Sequence, residues 1–359
     1  MSRFLSKKYA GLTPYVPGEQ PKDMQYVKLN TNESPFAPPY AVSKAVEKQA
    51  KLCRLYSDPT CSLLVEKTAE VYGVKPSQVI ATNGSDEILN FAFMAFCDTD
   101  TPAVFPDITY GFYKVFAQLN CVPYREIPLC EDFSLDHTAY FGAKATIFIA
   151  NPNAPTGLAL TLSQVEEILK ANPDNIVVID EAYVDFGGES AVRLIDTYEN
   201  LLVTQTFSKS RSLAGARLGL GFACEKLIAD LNAIRYSTNP YNVNRMTERA
   251  GYVALCNQAY FDKKCKIICE NREYTANELK KLGFSVLPSK TNFLFVTTDE
   301  IDGKTLYEKL KARGVLIRHL SGQRTSNYNR VTIGTKKQMD VFLQQVKEIL
   351  KEQTNGKNV

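Results

Sequence analysis

Lys209 follows the apolar run Leu201-Leu202-Val203-Thr204 within Thr206-Phe207-Ser208-Lys209-Ser210-Arg211, and Arg217 stands eight positions further on. By default a lysine after a strand is a solvated surface group. At the end of a buried strand its charge is costly unless a partner or a depressed pKa compensates. An amine so placed can form an imine with a carbonyl cofactor. Pyridoxal phosphate is the commonest such cofactor that also needs an arginine for its phosphate and a carboxylate for its ring. Candidates for both partners are present. In Asn175-Ile176-Val177-Val178-Ile179-Asp180-Glu181-Ala182-Tyr183, four consecutive β-branched apolar residues describe a strand buried on both faces of a parallel sheet. Asp180 lies at its carboxyl end and Tyr183 just beyond. Val79-Ile80-Ala81-Thr82, Asn83-Gly84-Ser85-Asp86-Glu87 and an apolar helix over 88–96 form a strand, turn and helix. Such a turn aims backbone N–H groups and the positive helix end at an anion, although it is also common as plain connection chemistry. Pyridoxal phosphate uses all four features at once.

These residues need an open α/β sheet, because such sheets bind ligands beyond the carboxyl ends of their strands. Further strands are expected at 103–105, 146–150 and 217–223, the second running into the turn Asn151-Pro152-Asn153-Ala154-Pro155-Thr156-Gly157. Helices are expected over 40–53, over 62–72 with Gly73 as its stop, and after a capping box at Thr161-Leu162-Ser163-Gln164. Pro240 marks a break within 237–244, and a long helical segment follows over about 245–282. Strands at 292–296, 315–318 and 329–333 and a capped helix from Thr335 then suggest a smaller α+β unit, with 355–358 expected to be disordered. The chain therefore divides into an N-terminal arm (1–30, with Pro14, Pro17, Gly18 and Pro21), a large cofactor-binding domain (31–245) and a small C-terminal domain (246–359) packed with part of the arm. Two phosphate-binding decoys fail. Gly303-Lys304-Thr305 has Thr298 where a P-loop needs glycine, and Gly219-Leu220-Gly221 lacks the third glycine of a dinucleotide fingerprint.

Composition narrows the partners. At 359 residues, 45% hydrophobic and 23% charged, the chain has the makeup of a globular protein too long for one ordinary core. A net charge of +3 without a long basic run argues against nucleic acid. Nine scattered cysteines suggest reduced thiols, and no apolar stretch has the length of a signal or membrane segment, so a cytoplasmic protein without membrane contact is expected. Only His137 and His319 are present, which excludes a multi-histidine metal site and leaves acid–base chemistry to Lys, Tyr or carboxylates.

Asn-Pro-x-x-Pro-Thr-Gly at 151–157, Asp-Glu-Ala-Tyr at 180–183, Ser-Lys at 208–209 and Arg217 resemble the fold-type-I aminotransferases in order and approximate spacing. More specific stretches are similar to the histidinol-phosphate aminotransferases. They are Leu12-Thr13-Pro14-Tyr15 with Gly18-Glu19-Gln20-Pro21, Leu29-Asn30-Thr31-Asn32-Glu33-Ser34-Pro35, Pro240-Tyr241-Asn242-Val243-Asn244, and 314–318 with 329–335. The resemblance implies a large, mostly parallel-sheet domain with a smaller α+β domain, and transamination of L-histidinol phosphate with 2-oxoglutarate. It implies that Lys209 forms the imine and moves the proton, Asp180 pairs with the ring nitrogen, Tyr183 bonds the ring hydroxyl and Tyr110 stacks on the ring. Thr206, Ser208, Arg217 and the backbone at Ser85 and Asp86 would hold the phosphate. Tyr56 would reach it from the partner subunit of a homodimer. Arg330, assisted by Arg318 and Tyr15, would grip the substrate's anionic end. One position departs from the family pattern: Ala154 stands where asparagine usually bonds the ring hydroxyl, and Asn153 is expected to point elsewhere. An aromatic amino acid aminotransferase, a threonine-phosphate decarboxylase and a cofactor-sensing regulatory module are the alternatives.

Overall fold

The computed structural model describes residues 2–357, with side chains described to Thr354. A seven-stranded sheet carries the larger part of the molecule. Its spatial order is Val79–Thr82, Gly219–Ala223, Leu201–Thr206, Val177–Asp180, Thr146–Ala150, Ala103–Pro106 and Tyr124–Ile127. Only Gly219–Ala223 runs antiparallel to its neighbours. The parallel central strands are apolar and buried on both faces, as their unbroken Val/Ile/Leu runs require when helices cover each side. Thr82, Ala150, Asp180 and Thr206 consequently end at one edge of the sheet.

The second sheet has the order Arg318–His319, Asn329–Thr332, Phe293–Thr297 and Ser285–Val286, all antiparallel. It packs with the helices Gln258–Lys281, Gly303–Ala312 and Lys336–Lys357 around its own core, which includes Leu294, Val331, Leu306 and Phe342. The arm joins it through Val27–Lys28, paired in parallel with Val315–Leu316. No helix among the described residues is long and apolar enough to cross a membrane.

Several expectations change at the level of elements. The first helix stops at Ala50, and 51–54 are turns. The helix expected from 88 starts at Ser85, whose polar first turn the apolar periodicity does not register. Residues 245–282 form two helices, Arg245–Leu255 and Gln258–Lys281. Ala250, Ala254 and Leu255 share the large sheet's core, so by packing the first of these helices goes with that sheet although it lies beyond residue 245. The segment 315–318 contributes to two different sheets, because Ile317 turns the chain between them. Residues 355–357 continue the last helix instead of fraying, while Asn358 lies outside the described residues. Tyr124–Ile127 is a strand outside the expected set, since its half-exposed Tyr-Arg-Glu-Ile composition is that of a sheet edge. Asp302 caps the helix Gly303–Ala312 by accepting from the Thr305 N–H at 2.9 Å, which accounts for the false P-loop signal.

Candidate active site

Lys209 leaves the strand Leu201–Thr206 on a turn anchored on both sides. Before it, the Ser208 N–H donates to Thr206 Oγ1 at 3.1 Å. After it, Ser210 donates to Asp185, and the buried Arg211 donates to Asp185 Oδ2 (3.3 Å), Tyr72 Oη (3.3 Å) and Gln258 Oε1 (3.0 Å). Among the described residues no carboxylate lies within 4.0 Å of the amine. Lys209 Nζ donates to the Thr31 carbonyl at 3.3 Å and lies 5.8 Å from the centre of the Tyr183 ring. Burial pushes its pKa down to about 8, with Arg330 acting in the same direction and Asp86 and Glu33 opposing. The amine is therefore a far better nucleophile near neutral pH than a surface lysine.

Asp180 projects from the end of Val177–Asp180 and is 4% exposed. Tyr113 Oη donates to Oδ2 at 3.1 Å and Thr204 Oγ1 to Oδ1 at 3.2 Å. Burial raises its pKa to about 6 despite these donors. A carboxylate enclosed without a cation is an unfinished electrostatic arrangement, and a protonated ring nitrogen would complete it. Neither donor belongs to the sequence-derived set. Thr204 is the register partner of Asp180 on the adjacent strand, and Tyr113 follows Tyr110 at helical spacing, a signal available in the sequence. The neighbouring Glu181 faces away, as strand alternation requires. It accepts from Ser190 Oγ (2.6 Å), the Ala191 N–H (2.6 Å) and Gln205 Nε2 (2.9 Å), and burial raises its pKa to about 7.

The anion end of the cleft lies where Ser85 and Asp86 open the helix Ser85–Phe96. As the first two helical residues their N–H groups lack intrahelical acceptors. Close packing defines this corner. A side chain on Gly219 would strike the Ser85 nitrogen, and one on Gly84 would come within 2.8 Å of Arg217 Nη2. Arg217 holds a left-handed backbone (φ 55°), a strained conformation of the kind that persists where surrounding structure enforces it. Its Nη2 donates to Asp86 Oδ2 at 2.9 Å, and Tyr110 Oη donates to Asp86 Oδ1 at 2.6 Å. Thr206 Oγ1 and Ser208 Oγ are 2.9 Å apart beside them. Asp86 thus contributes a side chain as well as the backbone group expected of it.

Arg330 and Arg318 are direct cross-strand partners. Like charges placed opposite each other destabilise a sheet unless something anionic answers them. Among the described residues no carboxylate lies within 4.0 Å of either. Arg330 Nη2 donates to the Asn30 carbonyl at 3.0 Å, and its buried Nε has no hydrogen-bond partner among the described residues. Arg318 donates to the Val16 and Pro17 carbonyls at 3.4 and 3.5 Å, which pins the arm over this corner. Tyr15 stacks on Phe112 with ring centroids 4.3 Å apart, beside Gly111.

Two residues stand apart from the cleft. Tyr56 is 77% exposed and stacks on Tyr241 at 4.5 Å. Asn153 points away, accepting from Thr109 Oγ1 (2.8 Å) and donating to the Ile108 carbonyl (3.0 Å), whereas Ala154 presents its methyl to the cleft. The cleft also gathers residues absent from the sequence-derived set. Thr31 and Glu33 line it beside Lys209, and Asn32 bonds Tyr183 from behind. Enclosed amine, buried carboxylate, helix N-terminus with arginine and hydroxyls, and a phenol between them fit pyridoxal phosphate group by group.

Comparison with known proteins gives the family. Residues 24–346 match the aminotransferase class I and II family. A histidinol-phosphate aminotransferase of Brachyspira hyodysenteriae is 49% identical over 353 residues, covering 98% of this chain and 100% of that protein. The crystal structure of histidinol-phosphate aminotransferase from Sinorhizobium meliloti in complex with pyridoxal-5'-phosphate superposes with a TM-score of 0.89 at 22% identity, covering 98% of this chain and 99% of that one. L-threonine-O-3-phosphate decarboxylase from Porphyromonas gingivalis superposes at 0.79 and 22% identity over 90% of this chain and 99% of that one, so the fold alone does not select a reaction. Sequence identity over the full length does make the selection: the chain belongs to the class I and II aminotransferases, within the histidinol-phosphate aminotransferase family.

Proposed function

We propose that this protein transfers the amino group of L-histidinol phosphate to 2-oxoglutarate, giving imidazole acetol phosphate and L-glutamate in histidine biosynthesis, with pyridoxal 5'-phosphate as cofactor. The observation that carries the reading is the paired Arg318 and Arg330, unanswered by carboxylate and set close enough to Lys209 for Arg330 to lower its pKa. Guanidinium forks accept a phosphate from one substrate and a carboxylate from the other. When bound, pyridoxal phosphate supplies the conjugated electron sink. Lys209 Nζ would be the group that holds it and the base that moves a proton at the substrate's Cα. Asp180 would keep the ring nitrogen protonated, and Tyr183 would donate to the ring hydroxyl while Tyr110 would cover the ring. The Ser85 and Asp86 N–H groups, Thr206, Ser208 and Arg217 would hold the phosphate, with the Asp86 side chain orienting the Arg217 guanidinium.

Turnover of histidinol phosphate, phenylalanine and threonine phosphate, each with 2-oxoglutarate, tests this. Histidinol phosphate is expected to have the highest kcat/KM, and Arg330→Leu to raise its KM and that of glutamate about 100-fold through loss of a charged bidentate contact. Preference for phenylalanine, or decarboxylation of threonine phosphate, would reject the assignment. A spectral response to amines without keto product would point to a sensor.

The functional unit in this proposal is a cytoplasmic homodimer. Tyr40, Leu55, Tyr56 and Tyr241 are exposed apolar side chains, a composition that suits burial against a second copy. Tyr56, remote from its own cleft, then reaches the phosphate held in the other subunit. Tyr56→Ala is expected to weaken cofactor retention about tenfold or more. A hybrid of Tyr56→Ala with Lys209→Ala subunits should regain one intact site; a hybrid as inactive as its parents would place Tyr56 outside the other subunit's site.

A further inference from the structure

Tyr183 has one proton to donate, and the residue behind it decides where that proton goes. Asn32 is buried in the loop after Val27–Lys28, with φ 56°, a backbone conformation that asparagine tolerates better than most residues. Its N–H donates to Thr332 Oγ1 at 3.0 Å, and the same hydroxyl donates its proton to Asn32 Oδ1 at 2.9 Å. Asn292 Nδ2 donates to the Asn32 carbonyl at 3.0 Å. With Oδ1 engaged by Thr332, the amide NH2 is the group that faces Tyr183, donating to its oxygen at 2.9 Å. An amide nitrogen accepts nothing, so the phenolic proton is turned away from Asn32. The open side is the cleft, which Tyr183 lines with Lys209, Asp180 and Ala154. Burial raises the Tyr183 pKa, with Arg330 and the Asn32 bond opposing, so the phenol remains a neutral donor at physiological pH. Position 154 adds only a methyl.

We propose that Asn32 is a positioning residue that aims the Tyr183 hydroxyl proton at the cofactor's ring oxygen, and that with alanine at 154 this relay carries the side-chain hydrogen bonding to that oxygen. The inference rests on the placement of pyridoxal phosphate with its ring hydroxyl at Tyr183. A donor at that oxygen stabilises its anionic form and lowers the pH at which the conjugated Lys209 nitrogen loses its proton.

The readout is the pH midpoint of the visible absorbance of the holoenzyme. Asn32→Gly keeps the left-handed backbone without strain and removes the amide. It is expected to raise the midpoint by about 0.5–1 pH unit, the scale of one hydrogen bond. Tyr183→Phe should raise it further, and the double variant no further than Tyr183→Phe alone, because Asn32 acts through the phenol. Ala154→Asn, by adding a donor, should lower it. An unchanged midpoint in Asn32→Gly, or a double-variant shift equal to the sum of the single ones, overturns the relay; a midpoint unmoved by Ala154→Asn overturns the role given to position 154. If Tyr183→Phe itself leaves the midpoint at the wild-type value, the placement of the cofactor fails instead. Should Asn32→Gly not fold, Thr332→Val frees the asparagine amide to turn: a rise supports the relay and no change overturns it.

Discussion

Lys209→Ala is expected to abolish the visible absorbance of the cofactor-loaded protein and to lower turnover by roughly 10⁴-fold or more, because one side chain supplies both the covalent attachment and the base. The fold should survive the change. The turn around Lys209 is held by Ser208, Ser210 and Arg211, and among the described residues the Lys209 side chain contributes a single hydrogen bond, to the Thr31 carbonyl. Removing a buried cation flanked by Arg330 and Arg217 also relieves repulsion in the cofactor-free protein. A pH signature accompanies this prediction. With the Lys209 pKa depressed to about 8, cofactor capture by the cofactor-free protein should quicken as pH rises to about 8 and then level off, where an ordinary lysine would still be gaining free amine near 10.5. Stopped-flow absorbance against pH measures it, and normal transamination by Lys209→Ala would sink the assignment of the lysine.

Asp180→Asn should lower kcat by about 10²–10³-fold, the usual cost of removing one preorganised electrostatic partner from a closed site. The amide preserves shape and its one oxygen can accept from either Tyr113 or Thr204, while its NH2 donates to the other hydroxyl, but it carries no charge to hold a proton on the ring nitrogen. Stability should move the other way. The Asp180 pKa is about 6 in the folded protein, against about 3.9 for an unfolded aspartate. Between those values the folded state binds more protons than the unfolded one, so stability of the cofactor-free protein falls as pH rises from about 4 to 6 and remains lowered above that. Asp180→Asn removes this contribution and should raise the cofactor-free Tm at pH 7.5 more than at pH 5. Glu181, also raised by burial, adds a slope of the same sign up to about pH 7 that the variant retains. A variant that kept full kcat would show that the ring nitrogen has another partner.

Much of this site is legible in the sequence because its charged residues sit at strand ends. Lys209 and Asp180 stand out as charges terminating apolar runs, and the Ser85 turn as a small-residue break between strand and helix; local composition carries such signals over a few residues. Arg217 becomes legible only in combination with these, since an isolated arginine has no preferred reading. Arg318 and Arg330 come from motif resemblance, and their adjacency comes from the register of two short strands. The expected division at residue 245 illustrates the opposite case. A break at Pro240 is local, but whether Arg245–Leu255 belongs with the large sheet depends on which core buries Ala250 and Leu255.

Residue type and short-range order therefore suffice for the α/β layering, for the chemistry of the lysine and its carboxylate, and for the family. What surrounds those groups is a matter of packing. Tyr113 and Thr204 meet on Asp180 from a helix and a neighbouring strand, and Asn32 reaches Tyr183 across 151 positions of chain. Such contacts arise where two sheets and the arm come together, and no local pattern of residues encodes them.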